Sequence, residues 1–229
     1  MALIQNRLSM QQLKVYFVGL SLLLLCTGCA MAIEEPKYEV VKTDGFFEIR
    51  KYAPLLIAET FVEGDMDEAS IKGFRLIADY IFGNNQATDT NSNSKIAMTA
   101  PVTAEPVSQK IAMTTPVTAE PQSSELHMQN ASKWRIHFVM PSQYTLANIP
   151  KPKNDAITLR EVPSKFFLVH SYSGFNTLAR VQVKTDEAFA WATRKSLKVL
   201  SPPQLSRYDP PWTLPIFRRN EIMLEVAAP

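Results

Sequence analysis

The side chains in this 229-residue chain best suited to hold a metal or a flat macrocycle are its three histidines, nine methionines and two cysteines. Cys26 and Cys29 have the Cys-x-x-Cys spacing of a redox pair or half a zinc site. They abut a leucine run, however, with no second ligand pair, and no cysteine follows Cys29, so the body has neither disulfide nor thiolate. His127 lies in a polar stretch and reads as solvated. His137 and His170 fall on strand-like runs, each a sheet-wall residue or a candidate iron ligand. Met98 and Met113 hold matching places in an internal repeat, as core filler or as a soft lining for a flat ligand. Phe74, Tyr208 and Trp212 could stack on such a ligand or pack in core and turns. Arg218-Arg219-Asn220-Glu221 reads as a functional charge cluster or as hydrogen-bonding groups that pin a strand end. HExxH, GxSxG, GxGxxG and Walker patterns are absent from the sequence, so binding is expected and catalysis is not. Hydrolysis by a pocket Glu or Tyr is the enzymatic rival.

The first thirty residues read as an address. Arg7 and Lys14 precede an uncharged run from Val15 to Ile33, the order of a signal peptide. The run holds Leu25-Cys26-Thr27-Gly28-Cys29-Ala30, and small residues before Cys29 resemble a bacterial lipobox. Residues 1–28 are then a lipoprotein signal peptide, Cys29 the lipidated residue and residues 29–37 a tether. A retained helix and plain cleaved secretion compete, the first because the run approaches the ~20 residues a membrane helix needs. All three export the body, to face the periplasm or the cell exterior. A chain starting at Cys29 has 22 basic and 22 acidic residues, once Arg7 and Lys14 are removed from 24. That balance argues against nucleic-acid binding, which needs a basic stripe.

The elements that must position these residues follow from periodicity. Tyr38–Lys42 and Phe46–Arg50 are strand-like and split by Asp44-Gly45, a hairpin signal. Leu55–Val62 is a third strand. Over Asp67–Phe82 the period becomes helical, with Ile71, Phe74, Ile77, Ala78, Ile81 and Phe82 as one apolar face, Asp65 or Asp67 as cap and Gly83-Asn84 as stop. Asn84–Ser94 reads as a polar loop. KIAMTAPVTAEP (Lys95–Pro106) then recurs as KIAMTTPVTAEP (Lys110–Pro121). The copies predict two neighbouring edge strands, or one strand and one looped-out copy, since proline is excluded from strand centres. Trp134–Met140 alternates Trp134, Ile136 and Phe138 against Arg135, His137 and Val139. Strands at Ile157–Val162 and Phe166–Tyr172 follow a proline-bearing connection. A helix over about Thr177–Ser196 is expected with Leu178, Val181, Ala188, Phe189 and Ala192 inward, then strands at Leu205–Tyr208 and Glu221–Val226. Strands, helix, strands, twice over, imply an α+β domain with two similar halves and helices on one side of a curved, mostly antiparallel sheet.

The opening YEVVKTDGFFEIRKY (Tyr38–Tyr52), KIAMTAPVT, WRIHFVMP (Trp134–Pro141) and RYDPPWTLPIFRRNEIMLEV (Arg207–Val226) resemble, in that order, the SOUL haem-binding family. The resemblance spans about residues 36–227 and sets the domain at 38–227. It implies a distorted antiparallel β-barrel with two helices, two pseudo-repeated halves, and an architecture shared with effector-binding domains. It further implies reversible binding of haem or another tetrapyrrole in a groove beside the first helix. Carried onto this sequence, the haem-binding residues are Ile71, Phe74, Arg75, Met98, Tyr208 and Trp212. Lys72 and Arg75 are the helix's cations, while Asp79 and Thr213 stand where relatives align basic residues. The function so implied is membrane-tethered capture, buffering or transfer of haem. The alternative is an envelope module for a different planar apolar ligand or a peptide.

Overall fold

Asp44-Gly45 closes the first hairpin as its turn chemistry predicts. Strand β1 (Tyr38–Asp44) pairs antiparallel with β2 (Phe47–Tyr52), and Gly45 sits at φ +63°, where a side chain would be strained. This computed structural model describes residues 33–87, 92–107, 128 and 131–229. The signal segment, Cys29, His127, Met113 and the second KIAMT copy lie outside those residues. Residues 34–229 form one unit around their own core.

After β3 (Leu55–Glu63), the Asp65 carboxylate caps helix α1 (Met66–Ile81), accepting from the backbone N–H groups of Asp67 and Glu68 at 2.9 and 2.8 Å. Only part of that apolar face packs against the body. Ile77, Ala78 and Ile81 are buried, but their companions are Ala69, Ser70, Gly73 and Tyr80, while Ile71, Phe74 and Phe82 face solvent. Gly73 explains the rotation. A Cβ there would lie 2.4 Å from Ile136 Cγ1, so the helix backbone rests directly on the strand beneath and turns its bulkier apolar residues out.

The expected polar loop contains a short strand, β4 (Asn85–Gln86). It pairs with β7 (Lys151–Pro152) because buried Asn85 donates to Tyr80 O and Ser94 O and accepts from Ser94 N–H. Between them come β5 (Val102–Pro106) and β6 (Lys133–Val139). The chain continues through β8 (Thr158–Val162), β9 (Lys165–Tyr172), α2 (Leu178–Arg194), β10 (Gln204–Arg207) and β11 (Asn220–Val226). Helix α2 buries Val181, Gln182, Thr185, Ala188, Trp191 and Ala192. Leu178, expected inward, is exposed because the buried stretch begins one turn later.

Nine strands form one antiparallel sheet in the order β1-β2-β9-β11-β10-β5-β6-β3-β8, curled into a half-barrel with two helices in an α+β fold. β5 and β10 meet at the centre. One half of the chain supplies β6 and β3 on one side, and the other supplies β11 and β9 on the other side. The outermost members cross over: β8 of the second half closes on β3, and β2 of the first half closes on β9. β5 is therefore an inner strand and not the expected edge. Its prolines are tolerated because Pro101 precedes it and Pro106 ends it, leaving Val102–Glu105 to carry the ladders. On β6, Trp134, Ile136 and Phe138 are fully buried on the helix side, as the alternation predicts. Arg135, His137 and Val139 point into the opposite, concave face.

Candidate functional site

Two surfaces present chemistry, one on each side of the sheet. On the helix side, α1 leaves an apolar stripe in water. Ile71 and Phe74 are 53% and 38% exposed, and Phe82 just past the helix end continues the line. Phe74 is anchored from below by Phe138, with ring centroids 5.6 Å apart and planes tilted at 48°. From Ile71 to Phe82 the stripe rises about 16 Å at 1.5 Å per residue. Two cations flank it. Lys72 is engaged by Glu68 at 4.0 Å and by Glu63 O at 3.4 Å. Arg75 is exposed and makes no ion pair among the described residues.

The structure thus brings Ile71, Phe74 and Arg75 together and separates them from the other expected site residues. Met98 is half-buried against the core in the segment after α1, where Ile96 N–H donates to Ile81 O at 2.8 Å. Tyr208 points into the concave face, and Trp212 lies 82% exposed in the β10–β11 connection. His170 is under α2, stacked on Phe47 at 4.3 Å with Nε2 2.9 Å from a Glu187 carboxylate oxygen. His137 lines the concave face. Neither histidine is on the exposed stripe. Arg218 to Glu221 proves to be a pinned strand end: Arg219 bonds Glu35 and Glu221, and Asn220 bonds Asn176 and Gly174 O.

The concave surface holds a cavity of about 280 Å³, which periodicity did not disclose. Leu55, Ile57, Val162, Phe167 and Met223 form its apolar walls. Its charged groups are matched to one another. Arg160 forms a two-pronged pair with Glu59 at 2.9 and 3.0 Å; Arg135 reaches Glu59 at 3.7 Å and also pairs with Glu105; and Lys165 meets Glu225 at 2.6 Å. Burial raises the Glu105 carboxyl above the usual carboxylate range, with Arg135 opposing the shift. Burial, with help from Arg135 and Arg160, lowers His137 to about 3, so its ring is neutral, and Nδ1 has no hydrogen-bond partner among the described residues. Tyr208 donates to Glu221 at 2.7 Å, and burial followed by the Glu221 charge keeps its hydroxyl protonated. The volume stands at the lower edge of the ~300–1,000 Å³ of small-molecule pockets, and among the described residues its charges are compensated by one another. The only hint in the sequence was charged residues alternating with apolar ones on β6 and β11, a pattern that also describes a strand facing water.

A profile of the family described as SOUL heme-binding protein matches residues 33–225. No curated protein matches the chain. Among solved structures, the EcmrR C-terminal domain is similar in fold, with a TM-score of 0.54 at 11% identity over 84% of this chain and 99% of that one. A protein described as a hydrolase from Listeria innocua is similar at a TM-score of 0.50 and 10% identity, over 82% of this chain and 94% of that one.

Proposed function

Because the chain belongs to the SOUL heme-binding protein family, we propose that it binds haem or a related tetrapyrrole reversibly on the outward face of α1. The observation that carries this reading is the exposed stripe Ile71–Phe74–Phe82 beside Arg75, an exposed cation with no ion pair among the described residues. A tetrapyrrole needs an apolar plane for its ring and cations for its propionates, and this face offers both. Ring burial against Ile71 and Phe74 supplies the affinity, and Arg75 orients the acidic edge. With no histidine on the stripe, the described residues hold the ligand by contact and charge. The protein's work is then capture, buffering or handover, without chemistry on the ring. We assign the body to the exported side of a membrane, tethered through lipid on Cys29.

One observation favours a second reading, a different planar apolar ligand with one acidic group. Haem carries two carboxylates, whereas among the described residues Lys72 is engaged by Glu68 and Glu63 O and Arg75 alone of the two helix cations has no ion pair.

Titration of the purified protein with haemin, followed at the Soret band, tests the proposal. Saturable one-to-one binding at micromolar concentration or below, weakened by Phe74→Ala, supports it. Non-saturating absorbance unchanged by that substitution rejects it.

A further inference from the structure

The connection between β10 and β11 holds its largest apolar side chains out in solvent. Trp212, Ile216 and Phe217 are 82, 72 and 70% exposed, and Leu214 and Phe175 are exposed as well. The segment is nevertheless tied into one shape. Arg218 donates from Nε to Thr213 O at 2.7 Å and from Nη2 to Pro211 O, and its guanidinium lies over the Phe175 ring at 5.4 Å. Phe217 N–H donates to Leu214 O at 2.9 Å, and Arg219 N–H to Asp209 Oδ2 at 2.7 Å. A shaped, exposed apolar tip of this kind marks an interaction surface, because nothing in the fold itself gains from it.

The base of the tip shows what covers it. The Arg219 guanidinium rests on the Tyr208 ring at 3.8 Å and reaches Glu35 at 2.9 Å. The loop is therefore fastened to the point where the chain enters the body. Glu35 follows the uncharged run of residues 15–33 and stands six positions after Cys29. Six residues span at most about 21 Å, so any hold on a bilayer through that segment keeps the loop near the same surface. Tryptophan and bulky aliphatics flanked by arginine are the composition of a side-chain cluster that sits at the headgroup–acyl boundary.

We propose that Trp212–Phe217 is a lipid-inserting tip that docks the body on a phospholipid bilayer. The inference rests on the reading that the apolar N-terminal segment holds the chain at a membrane. The tip fixes the orientation of the body, so that the tether does not have to.

Trp134 and Trp191 are buried, so Trp212 reports alone on the tip. The full chain is reconstituted in phosphatidylethanolamine–phosphatidylglycerol vesicles with brominated acyl chains, and flotation and tryptophan emission are read together. Insertion predicts loss of up to about a third of the emission, the share of one tryptophan in three, absent in Trp212→Phe and abolished by Ile216→Asp with Phe217→Asp, while flotation persists. A chain that floats with Trp212 unquenched overturns the tip and leaves the anchor standing, as does quenching that survives the aspartates. Capture of a protein partner by an unquenched tip also overturns it. If the full chain does not float, the anchor reading fails. Residues 34–229, which hold the whole core, then decide the tip: quenching on the vesicles supports it, and none overturns it.

Discussion

Arg50 and Glu221, from opposite ends of the chain, meet in the wall of the concave face, with Arg50 Nη1 3.0 and 3.1 Å from the two carboxylate oxygens. Glu221 also accepts from Arg219 Nε at 3.0 Å, the Tyr208 hydroxyl at 2.7 Å and the Ser171 hydroxyl at 3.3 Å, and its side chain is fully buried. A buried carboxylate is tolerated only when its lone pairs are filled and its charge is met, and this one satisfies both conditions. The relationship joins β2 to β11 across β9, so it fastens the crossed-over strand of the first half to the second.

Removing the Glu221 charge takes from buried Arg50 its only buried carboxylate partner, leaving it the half-buried Glu48 at 2.6 Å, and leaves Arg219 with Glu35 alone. Glu221→Gln is expected to cost about 3–5 kcal/mol, the usual penalty for breaking a buried pair. At about 2–4 °C per kcal/mol for a domain of this size, the midpoint of thermal unfolding falls by roughly 6–20 °C. Glu161→Gln, on an exposed side chain of β8, should stay within about 0.5 kcal/mol. Thermal melts of the two variants by circular dichroism check the contrast, and equal midpoints would dismiss the structural role of the pair.

What could be read from the sequence was local. The Asp44-Gly45 hairpin, the Asp65 cap and the alternation of Trp134, Ile136 and Phe138 each follow from chemistry within a few residues. The crossing of β2 and β8 depends on partners more than 100 positions away, as in Leu168 opposite Ile49, and no period encodes it. The Glu59–Arg160 and Arg50–Glu221 pairs were hidden for the same reason: charge on alternate strand positions looks the same whether the sheet is flat and wet or curled over a cavity. The packed face of α1 was only partly legible because Ala69, Ser70 and Gly73 do not register as core, although a Cβ at Gly73 would meet a neighbour more closely than at any other described glycine. The site residues Ile71, Phe74 and Arg75 were named from the family resemblance. That Ile71 and Phe74 turn outward while Ile77 and Ile81 turn inward was not legible in the period.

Gly73→Ala tests that contact directly. The methyl group would enter Ile136, whose Cβ and Cγ1 lie 2.6 and 2.4 Å from the new atom. Overpacking costs about 1–3 kcal/mol, against a helix-propensity gain of about 0.5–1 kcal/mol for alanine. A net loss of up to about 2.5 kcal/mol, or up to about 10 °C in the unfolding midpoint, is expected. Adding Ile136→Ala makes room, so the double variant should be more stable than the sum of the single changes by about 1 kcal/mol. Denaturant titration of the full cycle measures that coupling, and strict additivity would refute the steric account.

His137 gives the fold an acid-sensitive element. In the unfolded chain its imidazole takes a proton near 6.5, whereas in the fold burial and the Arg135 and Arg160 charges delay that to about 3. Between these values the unfolded state binds the proton and the folded state does not, so stability falls as the pH drops from about 6.5 toward 3. Allowing for water in the cavity, the loss from this residue is about 2 kcal/mol between pH 7 and pH 4. His170, also lowered chiefly by burial, acts in the same sense, and Glu105, raised by burial, acts against it. Both remain in the variant, so comparison with His137→Gln isolates one imidazole. Urea unfolding at pH 7 and pH 4 should show a smaller drop for His137→Gln than for the parent, and equal drops would show that His137 is not the proton acceptor.

The outward face of α1 makes two separable contributions to ligand binding. Arg75 acts by charge: Arg75→Glu should raise the haemin Kd about tenfold at low salt, near 1.4 kcal/mol. That difference should shrink in 1 M salt, where the screening length is about 3 Å. Phe74 acts by apolar contact, so Phe74→Ala should raise Kd by a similar factor at either salt concentration. Because the Phe74 ring also rests on Phe138, Phe74→Ala must be shown to keep its fold by its melting curve before its affinity is read. Soret titrations of both variants at low and high salt distinguish the two contributions. If neither substitution moves Kd while Tyr208→Phe does, the ligand lies against the concave face, and the stripe on α1 has another use.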